Sequence, residues 1–195
     1  MTLTVQDLQQ LQATHPDYSM ELVNGQVQVM SPSGYEADEV SIELARQLAN
    51  WVRPRKLGRV TGSSAGFVLP NSDTRAPDVS FVRAERLRNS PRSYAELAPD
   101  LMVEVKSPSD SLAKLRQKVQ GFLELGTQVG MVINPETRTV EVYRPGGTAA
   151  ERLQDGDVLT VPELLPGWRV RSLNFGPWSF KKHSHDQNLD PMDGR

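Results

Sequence analysis

Three stretches of the chain carry apolar residues three or four positions apart, which is the spacing of an amphipathic helix. They predict helices over 4–13, between Ser33 and Pro54, and over about 111–125. The apolar positions are Val5, Leu8 and Leu11, then Val40, Leu44, Leu48 and Trp51 or Val52, then Leu112, Leu115, Val119, Phe122 and Leu123. Ser33 and Glu36 have the spacing of a capping box, which would open the second helix.

Residues 19–30 have the pattern of a β-hairpin. Asn24-Gly25 favours a type I′ turn because both central residues of that turn take positive φ. The register that follows from a two-residue loop places four apolar side chains on one face of the hairpin. Those four are Met20, Leu22, Val27 and Val29. The same register leaves Glu21 beside Gln28 on the other face.

Short apolar and β-branched runs predict the remaining strands. They lie around 59–61, 66–69, 78–82, 101–105, 129–133, 140–143, 158–161 and 168–173. The order of elements predicts an α/β fold with a mixed central β-sheet flanked by helices. Residues 1–180 are expected to form a single domain, and the polar segment 181–195 a flexible tail.

Composition narrows the class of protein. With 195 residues, 37% hydrophobic and 24% charged, the chain has the profile of one globular domain. It has no cysteine, which excludes disulfides and thiolate metal sites and fits a reducing compartment. Neither a signal-peptide pattern nor a 20-residue apolar run is visible, so we expect a cytoplasmic protein without a membrane partner. A net charge of −2 argues mildly against a strong nucleic-acid binder without excluding one.

The candidate chemistry lies at the ends of two predicted strands. Glu104 and Lys106 are two positions apart, so their side chains share one face of a strand. Asp78 opens an earlier strand that the chain has room to place alongside. If the two strands are neighbours, two carboxylates converge with an ammonium beside them.

Such a group suits a hard divalent cation. Mg²⁺ and Mn²⁺ bind through one or two carboxylates, water and substrate phosphate, which predicts a metal held by Asp78 and Glu104. Lys106 would orient or deprotonate the attacking water and offset developing negative charge. The alternative is a surface Glu–Lys pair and an unrelated turn aspartate.

Five segments, in chain order, carry a resemblance to a known family. They are ELVNG at 21–25, MSP at 30–32, APDVS at 76–80, PDLMVEVKSPS at 99–109 and LLPG at 164–167. Together they closely resemble the Uma-type family of "putative restriction endonucleases", a branch of the PD-(D/E)xK nuclease superfamily. The resemblance spans about residues 18–175. It implies a restriction-endonuclease-like fold with Asp78, Glu104 and Lys106 at one edge of a cleft that uses a divalent metal.

The resemblance adds two further site residues. Lys118 and Phe122 match a lysine and an aromatic residue that family members carry in the helix after the catalytic strand. Lys118 would then reach over the sheet edge; the alternative is a solvated helix lysine. Glu21 matches a family acid in the first strand, either as a third carboxylate or as a surface partner of Gln28. Where many members have a histidine, this chain has Tyr35, so a role for that histidine does not carry over.

Two clusters of basic residues are candidates for phosphate contacts. They are Arg53, Arg55, Lys56 and Arg59, and Arg83, Arg86, Arg88 and Arg92. The alternative is a solvated surface balanced by Glu85 and Glu96.

The sequence therefore supports two main hypotheses. The first is a metal-dependent endonuclease that hydrolyses DNA through Asp78, Glu104 and Lys106, supported by Lys118 and Glu21. The second is a catalytically silent nuclease fold that binds nucleic acid or another protein. Hydrolysis of a small phosphoester stays open as a third. The expected partner is nucleic acid, DNA in the first place, with a homodimer as a further option.

Overall fold

A computed structural model describes residues 2–147 and 149–171, which form three helices and twelve short strands. The helices are α1 (Val5–Thr14), α2 (Tyr35–Val52) and α3 (Leu112–Glu124). The strands are β1 (Ser19–Val23), β2 (Gln26–Met30), β3 (Gly58–Gly62), β4 (Phe67–Val68), β5 (Thr74–Arg75), β6 (Val79–Arg83), β7 (Leu101–Val105), β8 (Val129–Asn134), β9 (Thr139–Tyr143), β10 (Glu151–Leu153), β11 (Val158–Thr160) and β12 (Arg169–Arg171).

The central sheet is mixed, which confirms the predicted fold class. Its six strands lie in the order β10-β9-β8-β7-β6-β3. The β7–β8 pair is parallel and is joined by α3, whereas the other neighbours in this sheet are antiparallel. A second, four-stranded sheet has the order β2-β1-β5-β4, and β11 pairs with β12.

Helices cover both faces of the central sheet. Alternating side chains of β6 and β7 point to opposite sides, as strand geometry requires. Phe81 and Val103 pack towards α2, whereas Val82 and Met102 pack towards α3. Residues that share the face of Val82 and Met102 therefore lie under α3.

The hairpin has the predicted register but not the predicted burial. Asn24 and Gly25 both take positive φ, and Glu21 pairs with Gln28 across the strands. Leu22 is buried, yet Val29 on the same face is 58% exposed. The expected apolar face is therefore only partly a core face, because β2 is an edge strand while α1 packs against β1.

The start of α2 also differs from the prediction. The helix begins after Gly34, and no side chain in the described part of the chain caps it, so the Ser33–Glu36 capping box is wrong. Instead the Gly34 N–H donates a 2.9 Å hydrogen bond to Ser107 Oγ, in the loop after β7. A contact distant in sequence takes the place of the local cap and ties α2 to the end of β7.

Within the described residues no helix has both the length and the apolar character to span a bilayer. The segment 181–195, expected to be a tail, lies outside the described part of the chain.

Phe122 tests the packing of α3. Its side chain is fully buried against the sheet, so Phe122→Ala is expected to lower the free energy of unfolding by about 3–5 kcal/mol. Gln117→Ala, at an exposed position of the same helix, is the control and should change it by less than about 0.5 kcal/mol. Urea titrations measure both. Equal losses in the two variants would contradict this packing.

Candidate active site

The structure brings Asp78 and Glu104 together under α3. Val79 of β6 lies opposite Val103 of β7, so Asp78, one residue before β6, reaches the level of Glu104. Asp78 Oδ2 accepts a 2.7 Å hydrogen bond from the Val105 N–H. Both acids share the α3 face of the sheet.

Lys118 lies between two of the acids. Its Nζ is 3.0 Å from Glu21 Oε1 and 3.0 Å from Glu104 Oε1, and it donates a 3.1 Å hydrogen bond to the Ala76 carbonyl. Burial alone would lower the pKa of Lys118, but the neighbouring Glu104 and Glu21 carboxylates outweigh it and raise that pKa. Lys118 is therefore a buried ammonium, not the solvated helix lysine of the alternative interpretation.

Glu21 is buried and held by several donors. Its carboxylate accepts hydrogen bonds from Lys118 Nζ, from the Ala76 N–H at 2.9 Å and from Arg75 Nε at 3.2 Å. Burial raises the pKa of Glu21, yet the charges of Lys118 and Arg75 and the Ala76 hydrogen bond outweigh it, so the pKa is lowered. The alternative surface pair with Gln28 is wrong, since Gln28 is exposed and Glu21 faces Lys118.

Glu104 is the least satisfied acid of the group. Its Oε1 is buried and lies 3.0 Å from Lys118 Nζ, an ion-pair contact with poor hydrogen-bond alignment, and it has no other partner among the described residues. Burial, offset in part by Lys118 and reinforced by Asp78, raises the pKa of Glu104 to about 7. Burial likewise raises the pKa of Asp78.

Lys106 lies apart from these carboxylates. Its Nζ is 3.2 Å from the Ser107 carbonyl and 3.4 Å from Glu136 Oε2, and within the described residues it has no ion pair with Asp78 or Glu104. Strand alternation predicts that Lys106 shares a face with Glu104. However, β7 ends at Val105, so Lys106 lies in the following loop, where strand alternation no longer sets the direction of its side chain.

Sequence reasoning missed two charged residues of this site. Arg75, in the two-residue strand β5, binds Glu21, and so short a strand gives no sequence signal. Asp110 accepts a 2.8 Å hydrogen bond from the Ser107 N–H and contributes to the raised pKa of Asp78. The Ser107-x-x-Asp110 spacing, typical of a side-chain-stabilised turn, is the signal that marks it.

Comparison with known proteins identifies the family. The family model Uma2, described as "Putative restriction endonuclease", matches residues 5–175, most of the chain. This chain belongs to the Uma2 family. No curated protein is significantly similar to it in sequence. The fold is similar to the crystal structure of "a putative nuclease belonging to DUF820" from Anabaena variabilis ATCC 29413, with a TM-score of 0.77 and 21% identity over 89% of this chain and 97% of that one.

The acids of this Uma2 protein fit a divalent cation with few protein ligands. No cluster of three or more potential ligand side chains has metal-site geometry in the described ranges. Mg²⁺ typically binds one or two carboxylates and keeps several waters, so Asp78 and Glu104 are the residues that would hold such an ion. The donor chemistry supports this fit, since both groups are carboxylates on the same face of adjacent strand segments and a single ammonium, Lys118, is shared between Glu104 and Glu21.

Part of the basic surface has a structural role in this Uma2 chain. Arg83 Nε and Arg86 Nη1 lie 3.3 and 3.0 Å from Asp100 Oδ1, and Asp100 is fully buried. The Arg55 guanidinium stacks 3.6 Å from the centre of the Trp51 ring. Arg83 and Arg86 are therefore bound to Asp100 and are not simply balanced by Glu85 and Glu96, whereas Arg55 is an exposed arginine stacked on Trp51.

The raised pKa of Glu104 gives a pH test in the absence of metal. Between about pH 4.5 and 7 the native state keeps a proton that the unfolded state has released, so stability falls as pH rises through this window. The loss is about 3 kcal/mol for a shift of this size. Glu104→Gln should abolish this loss and be more stable than wild type near about pH 8.

Urea titrations in EDTA at several pH values measure this effect. Glu96→Gln, an exposed acid away from the site, should follow the wild-type curve. Parallel curves for wild type and Glu104→Gln would show that Glu104 titrates normally.

Proposed function

We propose that this protein is a metal-dependent endonuclease that hydrolyses phosphodiester bonds in DNA at the Asp78–Glu104 edge of the central sheet. The observation that carries the proposal is the pairing of these two acids on adjacent strands with the buried ammonium of Lys118 3.0 Å from Glu104. Membership of the Uma2 family supports a nuclease and a nucleic-acid substrate. The nature of the metal, the choice of DNA and the role of each residue are part of the proposal.

Asp78 and Glu104 would hold the cation, Mg²⁺ or Mn²⁺. When bound, such an ion polarises the phosphodiester and lowers the pKa of a water molecule. Glu21 is a weaker ligand candidate, because three donors already occupy its carboxylate. It acts by fixing Lys118.

Lys118 supplies positive charge beside the reacting phosphate. Its pKa is raised, so it stays protonated and serves as an electrostatic partner, not as a base. Lys106, held 3.4 Å from the exposed Glu136, contributes less in this scheme than the Glu-x-Lys spacing suggests.

The cleft around these residues accommodates a phosphate backbone. It has a volume of about 440 Å³ and is rich in serine hydroxyls. Its serines are Ser19, Ser31, Ser33, Ser63, Ser64, Ser107 and Ser109. Hydroxyl groups bind phosphate oxygens without adding charge to the cleft. The carboxylates of the cleft are then left to bind the cation.

The acids are tested by substitution. Asp78→Asn and Glu104→Gln should reduce Mg²⁺- or Mn²⁺-dependent cleavage of DNA to background, because each removes a ligand. The cation should raise the melting temperature of wild type by binding its native state, and this rise should vanish in both variants. Glu96→Gln is the control and should keep both properties.

The same assays decide between the hypotheses. A wild-type protein that binds neither cation and cuts no DNA, RNA or small phosphodiester would leave the nucleic-acid- or protein-binding module as the better account. Cleavage that persists in both acid variants would show that the activity lies elsewhere.

The two lysines are distinguished by a second set of variants. Lys118→Met should lower the rate of cleavage by about 10²–10³-fold, the scale of losing one electrostatic stabiliser, while metal binding persists. Lys106→Met should lower it by less than about tenfold. A larger loss of cleavage rate in Lys106→Met than in Lys118→Met would show that Lys106 has the catalytic role.

Loss of Lys118 alone leaves buried carboxylates uncompensated and destabilises the fold. The double variant Lys118→Met with Glu21→Gln keeps the charge balance, so its activity separates catalysis from folding. Circular dichroism and melting curves verify that each variant is folded at the assay temperature.

A further inference from the structure

A second cavity of about 510 Å³ lies beside the carboxylate cleft. It is enclosed by α1, by the edge strand β3 and by the segment 90–95, and its size is within the range of small-molecule sites. Nothing in the proposed hydrolysis uses it.

The wall of this cavity combines apolar and cationic groups. Phe67, Val82, Leu87, Pro91 and Tyr94 supply the apolar surface. Among the described residues that line the cavity, Arg59 and Arg92 are charged and none is acidic. Within the described ranges neither arginine has a carboxylate within 4.0 Å. Arg59 Nε and Nη2 donate hydrogen bonds to the Leu87 and Arg88 carbonyls at 3.2 and 2.7 Å, which hold its guanidinium in place without neutralising the charge that an anionic ligand would meet.

The aromatic surface is held in place by the backbone. A Cβ at Gly66 would lie 2.5 Å from Tyr94 Cδ1, so the ring of Tyr94 packs directly on a position that only glycine fits. A supported aromatic ring of this kind is a platform on which a planar base can stack. Gln9 and Gln12, on α1, also line the cavity; their Nε2 groups donate to Ser93 Oγ and to the Tyr18 carbonyl, so their amide oxygens are the groups that can accept hydrogen bonds from base edges.

The cavity and the cleft are continuous along one face of the central sheet. Arg59 and Thr61 of β3 pair with Val82 and Ser80 of β6, on the face that also carries Asp78. The Thr61 and Ser80 hydroxyls are 2.6 Å apart, and Ser64 lines both spaces. A strand whose phosphate lies in the cleft therefore has an adjoining unit within reach of the cavity.

We propose that this cavity binds one nucleotide of the substrate strand, with the base on Tyr94 and the apolar wall and its phosphate at Arg59 and Arg92. The complementarity is specific to a ligand that joins an aromatic heterocycle to an anion. The inference deepens the proposed function, because it places a nucleotide beside the scissile phosphodiester.

The test uses metal-free wild-type protein in EDTA, titrated calorimetrically with the four deoxynucleoside monophosphates. At least one should bind, and both Arg92→Gln and Tyr94→Leu should weaken that binding by about tenfold or more. Arg88→Gln is the matched control, since Arg88 is an exposed arginine nearby that does not line the cavity. It should bind as wild type does.

Two simpler ligands test the recognition of the base and the recognition of the phosphate separately. Deoxyribose 5-phosphate, without a base, and the deoxynucleosides, without a phosphate, should each bind at least about tenfold more weakly than the nucleotide. Equal binding of deoxyribose 5-phosphate would overturn the inference, because the aromatic wall would then have no role. Absence of nucleotide binding, or equal losses in Arg92→Gln and Arg88→Gln, would also overturn it.

Failure of this inference is distinguishable from failure of the nuclease proposal, because binding is measured without metal or turnover. Nucleotide binding that depends on Arg92 in a protein without cleavage activity supports the cavity site and refutes the nuclease. Cleavage of a single-stranded oligonucleotide with unchanged KM and kcat in Arg92→Gln and Tyr94→Leu refutes the cavity site and leaves the nuclease intact. Arg92 is exposed, so Arg92→Gln tests the proposal even where Tyr94→Leu fails to fold.

Discussion

The geometry of this site depends on the buried ammonium of Lys118. A charge removed from water is tolerated only when charged and polar partners surround it, and here Glu21, Glu104 and the Ala76 carbonyl all lie within 3.1 Å of Nζ. These partners belong to different parts of the fold, since Glu21 is in the four-stranded sheet and Glu104 in the central one. Lys118 thereby fixes α3 and both sheets relative to one another, and the acids gain their positions from the same contacts.

Features set by short-range chemistry could be predicted from the sequence. The Asn24-Gly25 turn determines the hairpin register, and the apolar spacing of α3 determines that Val119 and Phe122 face the sheet. The placement of Asp78 beside Glu104 follows from strand alternation and from the order of the family motifs. The mixed central sheet with a helix on each face follows from the order of the elements, because a crossover helix makes its two strands parallel.

The features that sequence reasoning missed are set by contacts distant in the chain. Glu21 is buried because β1 packs near α3. The alternation of apolar and polar residues in the hairpin gives no information about that packing. The start of α2 is fixed by Ser107, far along the chain, and not by Ser33. Glu85 and Glu96 are the expected counter-charges of the basic cluster that contains Arg83, yet the buried Asp100 is closer to Arg83 than Glu85 is, at 3.3 against 3.8 Å. Proximity in sequence is a poor guide to ion pairs, because the tertiary fold determines which charged side chains come into contact.

The charge balance of the site explains why Glu104 is the group left unsatisfied. Among the described residues of the site, the carboxylates of Glu21, Asp78, Glu104 and Asp110 outnumber the two cations Lys118 and Arg75. The site therefore carries an excess of negative charge. Glu21 has both cations as partners and Asp78 accepts a hydrogen bond from the Val105 N–H, whereas the buried Glu104 shares Lys118 with Glu21, so excess charge falls on Glu104. A proton relieves that excess in the metal-free protein, which is why its pKa rises to about 7. In the proposed function, a divalent cation beside Asp78 would relieve the same excess without a proton, so the charge that destabilises the metal-free protein would be the charge that attracts the cation.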